Sequence, residues 1–266
     1  MKKMSEIIAT LKKDYIYNLM IKEKRQDGRS FKDFRDIKVE TNVISKAEGS
    51  AKVTLGNTQV LVGVKLQTGT PFPDSQDEGV IITNLELNPI ASPEFEPGPP
   101  REEAIEMARV VDRGIRESGA IDIKKLCITV GESVWIVFID VHILNDDGNI
   151  IDASCLAAIA ALMTTMVPNE QQGLGENVPL AMKEMPVGIT LAKIGSKLMV
   201  DPSLDEEAVC ETKLTIVSSS DGSVAGMQKM GPAPLSEEEL FEAINMAIEK
   251  AAELRSLYLE GLAKSE

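Results

Sequence analysis

Arg109, Arg113 and Arg116 are the residues whose type and spacing most directly offer chemistry. At i, i+4 and i+7 they share one flank of a helix, and guanidinium groups can grip phosphate oxygens bidentately. The ordinary alternative is a solvated face on which Glu106, Asp112 and Glu117 serve as local ion-pair partners of little energetic weight. A second candidate is the run Asp140-Val-His-Ile-Leu-Asn-Asp-Asp-Gly-Asn-Ile-Ile-Asp-Ala-Ser154, which reads as a strand, a turn and a helix start. A helix opening behind a strand presents free backbone N–H groups and a partial positive charge, and can seat a phosphate. Here Asp152 takes that place and reads as a helix N-cap. His142, the single histidine, reads as a hydrogen-bonded, semi-buried strand residue, and Asp146 and Asp147 beside Gly148-Asn149 read as turn rather than metal site.

The elements that must position these groups follow from hydrophobic period. Residues 5–24 carry Ile8, Leu11, Tyr15 and Leu19 at helical spacing, and Arg25-Gln-Asp-Gly-Arg29 breaks that helix. Strands are predicted at 37–44, 50–55 and 58–66, the last two joined by a Gly56-Asn57 hairpin, and at 80–87. The proline-rich stretch 92–100 is irregular, and 101–118 is a helix with Ala104, Ala108, Val111 and Ile115 as its apolar stripe. Strands at 126–130 and 133–144 follow, the second with Trp135 in the core and both faces mostly covered, and then a helix over 153–167, apolar nearly all round. Beyond an irregular stretch at 168–186, strands are expected at 187–194, 197–200, 208–217 and 223–230, with an acidic loop at 201–207. Ser236 with Glu239 forms a capping box that opens a last helix. Strands then a helix, twice over, point to a mixed α/β fold built from a duplicated split β/α unit.

Composition narrows the functions. With 266 residues, 43% hydrophobic and 26% charged, the chain reads as a soluble globular protein without a membrane span or signal peptide, and a cytoplasmic location is expected. A formal net charge of -14 repels polyanions at long range, so any RNA contact must be local or shared with a more basic partner. Cys127, Cys155 and Cys210 are widely spaced core residues of a reducing compartment, and one histidine makes no Cys/His zinc pattern. No P-loop or Rossmann fingerprint accompanies the Asp140, Asp147 and Asp152 carboxylates, which weakens a small-molecule enzyme reading. No cofactor and no metal is expected.

Six runs together resemble the RNase PH family, and within it the non-catalytic subunits of the archaeal exosome ring. They are Arg25-Gln-Asp-Gly-Arg29, Glu48-Gly-Ser-Ala51, Leu55-Gly-Asn-Thr-Gln-Val60, Phe95-Glu-Pro-Gly-Pro-Pro100, Arg109-Val-Val-Asp-Arg-Gly-Ile-Arg116 and Asp140-Val-His-Ile-Leu144, in order along almost the whole chain. The resemblance implies an RNase PH fold: residues 1–30 as an N-terminal helix and turn, one lobe at 31–167, a linker at 168–186 and a second lobe at 187–266. It also implies a ring of three heterodimers with a catalytic paralogue, RNA-binding cap subunits and single-stranded RNA as ligand. Active members use inorganic phosphate to shorten RNA from the 3′ end. Where they hold phosphate with a Gly-Ser-Arg loop, this sequence has Asn149-Ile150-Ile151 followed by Asp152, and from Glu117 to Leu254 it offers no arginine as substitute. Where they carry an acidic residue on a later strand, it has Lys213. The resemblance therefore implies a structural, RNA-guiding subunit in which Arg109, Arg113 and Arg116 contact RNA, Arg113 and Arg116 foremost. Arg101 matches one member of an arginine pair, since Glu102 follows it. The alternative is a phosphorolytic exoribonuclease active by itself.

Overall fold

The computed structural model describes residues 13–263. A helix over 13–21 (α1) leads into the first sheet: β1 (Ile37–Thr41), β2 (Gly49–Leu55), β3 (Thr58–Gly69), β4 (Val80–Leu87), β5 (Cys127–Thr129) and β6 (Ser133–Asn145). The order is β1-β2-β3-β6-β4, with β5 also on β6. Pairings are antiparallel except β4 with β6, which run parallel because the helix α2 (Glu102–Glu117) intervenes in the chain. After α3 (Ile150–Met163) and the short pair β7 (Met166–Val167) and β8 (Val178–Pro179) come β9 (Val187–Ile194) and β10 (Lys197–Val200), then α4 (Leu204–Val209). The strands β11 (Thr212–Ser218) and β12 (Val224–Met230) complete an antiparallel sheet of order β10-β9-β11-β12, and α5 (Glu237–Leu254) covers it.

The layers are the first sheet, then α2 and α3, then the second sheet, then α5. This makes α3 the centre of the molecule. It packs on β2 and β3 from one side and β9 from the other, and every residue from Ile150 to Leu162 is buried. That is why its sequence is apolar all round instead of striped. Truncating Ile159, 1% exposed between the sheets, to Ala would cost about 2–5 kcal/mol.

Several expectations are corrected. The helix begins at Ile150, three residues earlier than its apolar run implied, and ends at Met163, with 166–167 in a strand. Asn149 is its N-cap, in a left-handed conformation that Asn tolerates, which puts Asp152 in the first turn and not at the cap. In β6 only one face is buried, through Trp135, Val137, Ile139, Val141 and Ile143; Ile136, Phe138, Asp140, His142 and Leu144 are half-buried. On α1 the buried residues are Ile16 and Met20, packed on Ala192, Ile194 and Met199, while Tyr15 is exposed and Leu19 half-buried. Ile8 and Leu11 lie outside the described residues. The expected loop at 201–207 contains the start of α4, and the strand expected from 208 begins at Thr212. Ser203 and Glu206 form a capping box there, the same signal that marks α5 at Ser236 and Glu239. Among the described residues no helix is long and apolar enough to cross a membrane.

Candidate nucleic-acid interface and the closed pocket beside it

The resemblance to active RNase PH members placed Asn149, Ile150, Ile151 and Lys213 at positions of one site, and the fold brings all four to one pocket of about 200 Å³. Its other walls are Glu94, Phe95, Glu103, Met107, Asp146, Thr190, Leu204 and Glu207. The hairpin at Gly56-Asn57, which sets Leu55 opposite Thr58, also aims Thr58 at this place. Its Oγ1 donates to Gly148 O at 2.7 Å and accepts from Asp147 N at 3.1 Å, fixing the turn before α3. Gly148 is required twice: its φ is +85°, and a Cβ would meet Leu204 N at 2.5 Å.

That close approach lays α4 over the start of α3. Glu207 uses it: Asn149 N donates to Glu207 Oε1 at 2.9 Å, and Lys213 Nζ donates to Glu207 Oε2 at 2.9 Å. The chain's own carboxylate therefore lies where an opening helix would favour an anion. Burial would lower the Lys213 pKa, but the charge and hydrogen bond of Glu207 raise it above its ordinary value. Burial, together with the charges of Glu207 and Asp147, pushes the Asp146 carboxyl up. With Glu94 and Glu103 also on the wall, the pocket is a poor host for inorganic phosphate and a poor source of the donors its capture needs.

A clamp from the N-terminal segment holds α4 in place. Arg25 grips Glu206 bidentately, Nε to Oε1 at 2.9 Å and Nη2 to Oε2 at 2.6 Å, and donates to the carbonyls of Val200 and Asp201. Asp201, itself fully buried with φ +48°, accepts from Arg29 Nη1 (2.7 Å), Arg35 Nη2 (2.7 Å) and Asn149 Nδ2 (2.9 Å). Burial opposes its charge, yet the Arg35 hydrogen bonds and charge hold its carboxyl below the usual range. Asp152 has no such cation. It accepts from Thr190 N (2.9 Å), Thr190 Oγ1 (2.6 Å) and Asn149 Nδ2 (3.0 Å), and burial pushes its pKa up to about 7. Glu207, Asp201 and Arg35 were not singled out by sequence reasoning; the Ser203-to-Glu206 capping box was the available signal, since it turns the acidic stretch into a helix with defined faces.

Arg109, Arg113 and Arg116 all lie exposed on α2, and the structure separates them. Arg116 is engaged: its Nε and Nη2 donate to Asp112 at 3.1 and 3.0 Å, and Nη2 also donates to Ile81 O. The side chains of Arg109 and Arg113 have no ion pair or hydrogen bond among the described residues and line a groove of about 390 Å³ between α2 and β12. The partner foreseen for them, Glu106, is held instead by Gln228 Nε2 at 2.7 Å. Arg101 stands just ahead of α2 and pairs with Glu96 in the proline-rich loop, both side chains being exposed. His142 Nδ1 lies 3.3 Å from Glu86 Oε2 on the half-buried face of β6.

Residues 33–168 match the model of the 3′ exoribonuclease family, domain 1 (RNase PH), and residues 184–250 match domain 2 of the same family. The chain is 95% identical over 266 residues to the exosome complex component Rrp42 of Methanosarcina mazei, covering 100% of both. It is similar to a chain in the solved structure of the Archaeoglobus fulgidus exosome with RNA bound to the active site, with TM-score 0.92 and 53% identity over 94% of this chain and 98% of that one. A chain of a solved archaeal exosome core gives TM-score 0.89 and 49% identity, over 96% and 98% of the two chains.

Proposed function

Since the chain belongs to the 3′ exoribonuclease family of RNase PH type, we propose that it acts as a structural and RNA-guiding component of an exosome core, without catalytic groups of its own. The carrying observation is Glu207 on Asn149 N and Lys213 Nζ. Phosphorolysis needs an oxyanion of phosphate beside the RNA 3′ end, with donors around it and an acid or metal near the leaving oxygen. Here one backbone donor at the start of α3, Asn149 N, and the Lys213 ammonium are both engaged by the carboxylate of Glu207, which sets a negative charge where phosphate would bind, and Lys213 is an ammonium that cannot act as a metal ligand. The similarity to the exosome chains supports the partners: a catalytic paralogue, alternating with this chain in a ring of three heterodimers, RNA-binding caps and single-stranded RNA. In this reading residues 31–167 and 187–266 are the two lobes, 168–186 joins them, 1–30 precedes them, and the assembly works in the cytoplasm.

Arg109 and Arg113 hold RNA phosphates on the way to the partner's active site, with Arg101 at the entrance to α2. Arg116 serves the same path with a guanidinium already shared with Asp112. A net charge of -14 gives no diffuse attraction for RNA, so these local contacts carry the binding. The test is to purify the chain, mix it with its paralogue, and follow RNA length and particle mass with and without phosphate. The chain alone leaves RNA intact under saturating phosphate and Mg²⁺, while the mixture forms a larger particle and shortens RNA when phosphate is present. Processive 3′ shortening that follows this chain alone would establish instead an exoribonuclease active by itself.

A further inference from the structure

The groove beside α2 has features that phosphate contact alone leaves unexplained. Its helix wall carries Glu102, Glu106, Arg109 and Arg113 in that order, so its charge is sorted, acidic at the N-terminal end and basic further along. Its floor is apolar: Val110 and Val217 are buried there, Gly226, paired across the sheet with Val217, contributes no side chain, and the exposed Ile105 and Met227 also line the groove. Thr215 and Gln228 add a polar flank. A cavity of about 390 Å³ lies in the ~300–1,000 Å³ range of small-ligand sites. A free phosphate would use the two arginines and gain nothing from the floor. An acidic peptide would be repelled by Glu102 at the far end.

A nucleotide combines what both ends ask for. Its phosphate fits two unpaired guanidinium groups, its flat base suits an apolar floor, and the N–H donors of a base edge suit carboxylate acceptors. Resting on the RNA-guiding reading, we propose that this groove takes up one nucleotide of the bound RNA, with its phosphate on Arg109 and Arg113 and its base on the floor formed by Val110, Val217 and Gly226. The acidic end fixes the direction, since it repels the phosphate and accepts from the base. This chain then both steers the strand and turns one base out of it.

Filling the groove without touching the arginines tests this. A Cβ at Gly226 would meet nothing nearer than Val217 Cβ at 4.0 Å, so Gly226→Ala is accommodated and Gly226→Leu extends into the groove. RNA affinity of the assembled ring is measured against salt for G226A, G226L and the double variant R109E/R113E, with particle mass in parallel. The expectation is a near-wild-type G226A. G226L should bind at least about 5-fold more weakly, the lower end of what one base contact contributes, with an unchanged salt slope. The arginine variant should lose about 1.4 of slope. Wild-type affinity in G226L beside a weakened R109E/R113E overturns the nucleotide groove and leaves the RNA-guiding reading standing. Wild-type affinity in both overturns that reading as well. If G226L lowers particle mass while any remaining ring binds RNA normally, the groove is a subunit contact and the inference falls.

Discussion

Two cavities flank the layer of α2 and α3, and they treat their cations in opposite ways. At the start of α3 the surrounding cations are spent inside the chain: Lys213 on Glu207, Arg25 on Glu206, Arg35 on Asp201. Along α2, Arg109 and Arg113 are exposed and unpaired among the described residues. An internal ion pair satisfies buried groups but removes them from ligand binding, because a ligand must first displace the partner. An exposed arginine contributes little to folding, so it remains available for an outside anion. The difference teaches that having a cation near a cavity is a poor guide to binding. What the cation is already doing decides.

The largest expected effect lies on the closed side. Arg25→Ala strands Glu206 with both side chains buried, and should lower stability by about 3–5 kcal/mol in denaturant titrations. A loss below about 1 kcal/mol would mean that the clamp behaves like an exposed pair and would break the contrast. Asp152 gives the next. Its folded pKa, about 7, lies above its ordinary 3.8, so the native state keeps a proton that the unfolded state releases. Its contribution is complete below pH 3.8 and is lost as pH rises to about 7. Asp152→Asn should therefore match the wild type near pH 4 and become the more stable protein by pH 8, by up to about 4 kcal/mol at ~1.4 per unit. Parallel pH curves for the two proteins would refute the buried proton.

Glu207→Ala sharpens the comparison further. It leaves Asn149 N and the half-buried Lys213 without their acceptor, and should cost about 1–3 kcal/mol. The freed pocket should still give no phosphate-dependent RNA shortening, since Asp146, Glu103 and Glu94 remain. Acquired activity would make Glu207 the sole barrier. The smallest effect belongs to Arg116→Ala, about 0.5 kcal/mol in stability for an exposed i, i+4 pair with Asp112. Its RNA affinity should fall less than that of Arg113→Ala; the reverse order would show that its ion pair opens readily for RNA.

How much of this was legible depended on whether a signal was local. The alternation of β3 and β4, the Gly56-Asn57 hairpin and the Ser236 capping box each state their structure within a few residues, and each stands close to where it was expected. The start of α3 was not legible, because Asn149 caps it with a positive φ and Ile150-Ile151 look like strand residues by propensity. The short α4 was divided between an acidic loop at 201–207 and the start of the strand that follows it, although Ser203 and Glu206 announced it. The unpaired state of Arg109 was hidden for another reason. Gln228, on a strand far along the chain, takes Glu106 away from the helix, and spacing on α2 cannot express that.

The clamp on α4 also bears on how the molecule is made. Arg25 and its partner Glu206 are separated by 181 positions in the chain. Synthesis at about 5–20 residues per second puts roughly 10–40 s between the appearance of the two. Through that interval the guanidinium, destined for the interior, remains in water, and α1 lacks the Ala192, Ile194 and Met199 surface on which it rests. The beginning of the chain is thus among the last parts to find its place, docked by residues that leave the ribosome long after it. Local folding of the first sheet can run ahead, since β2 and β3 meet across a two-residue turn. Closure of the pocket at α3 waits for the second sheet, so a nascent chain halted before residue 206 would present that helix start uncovered.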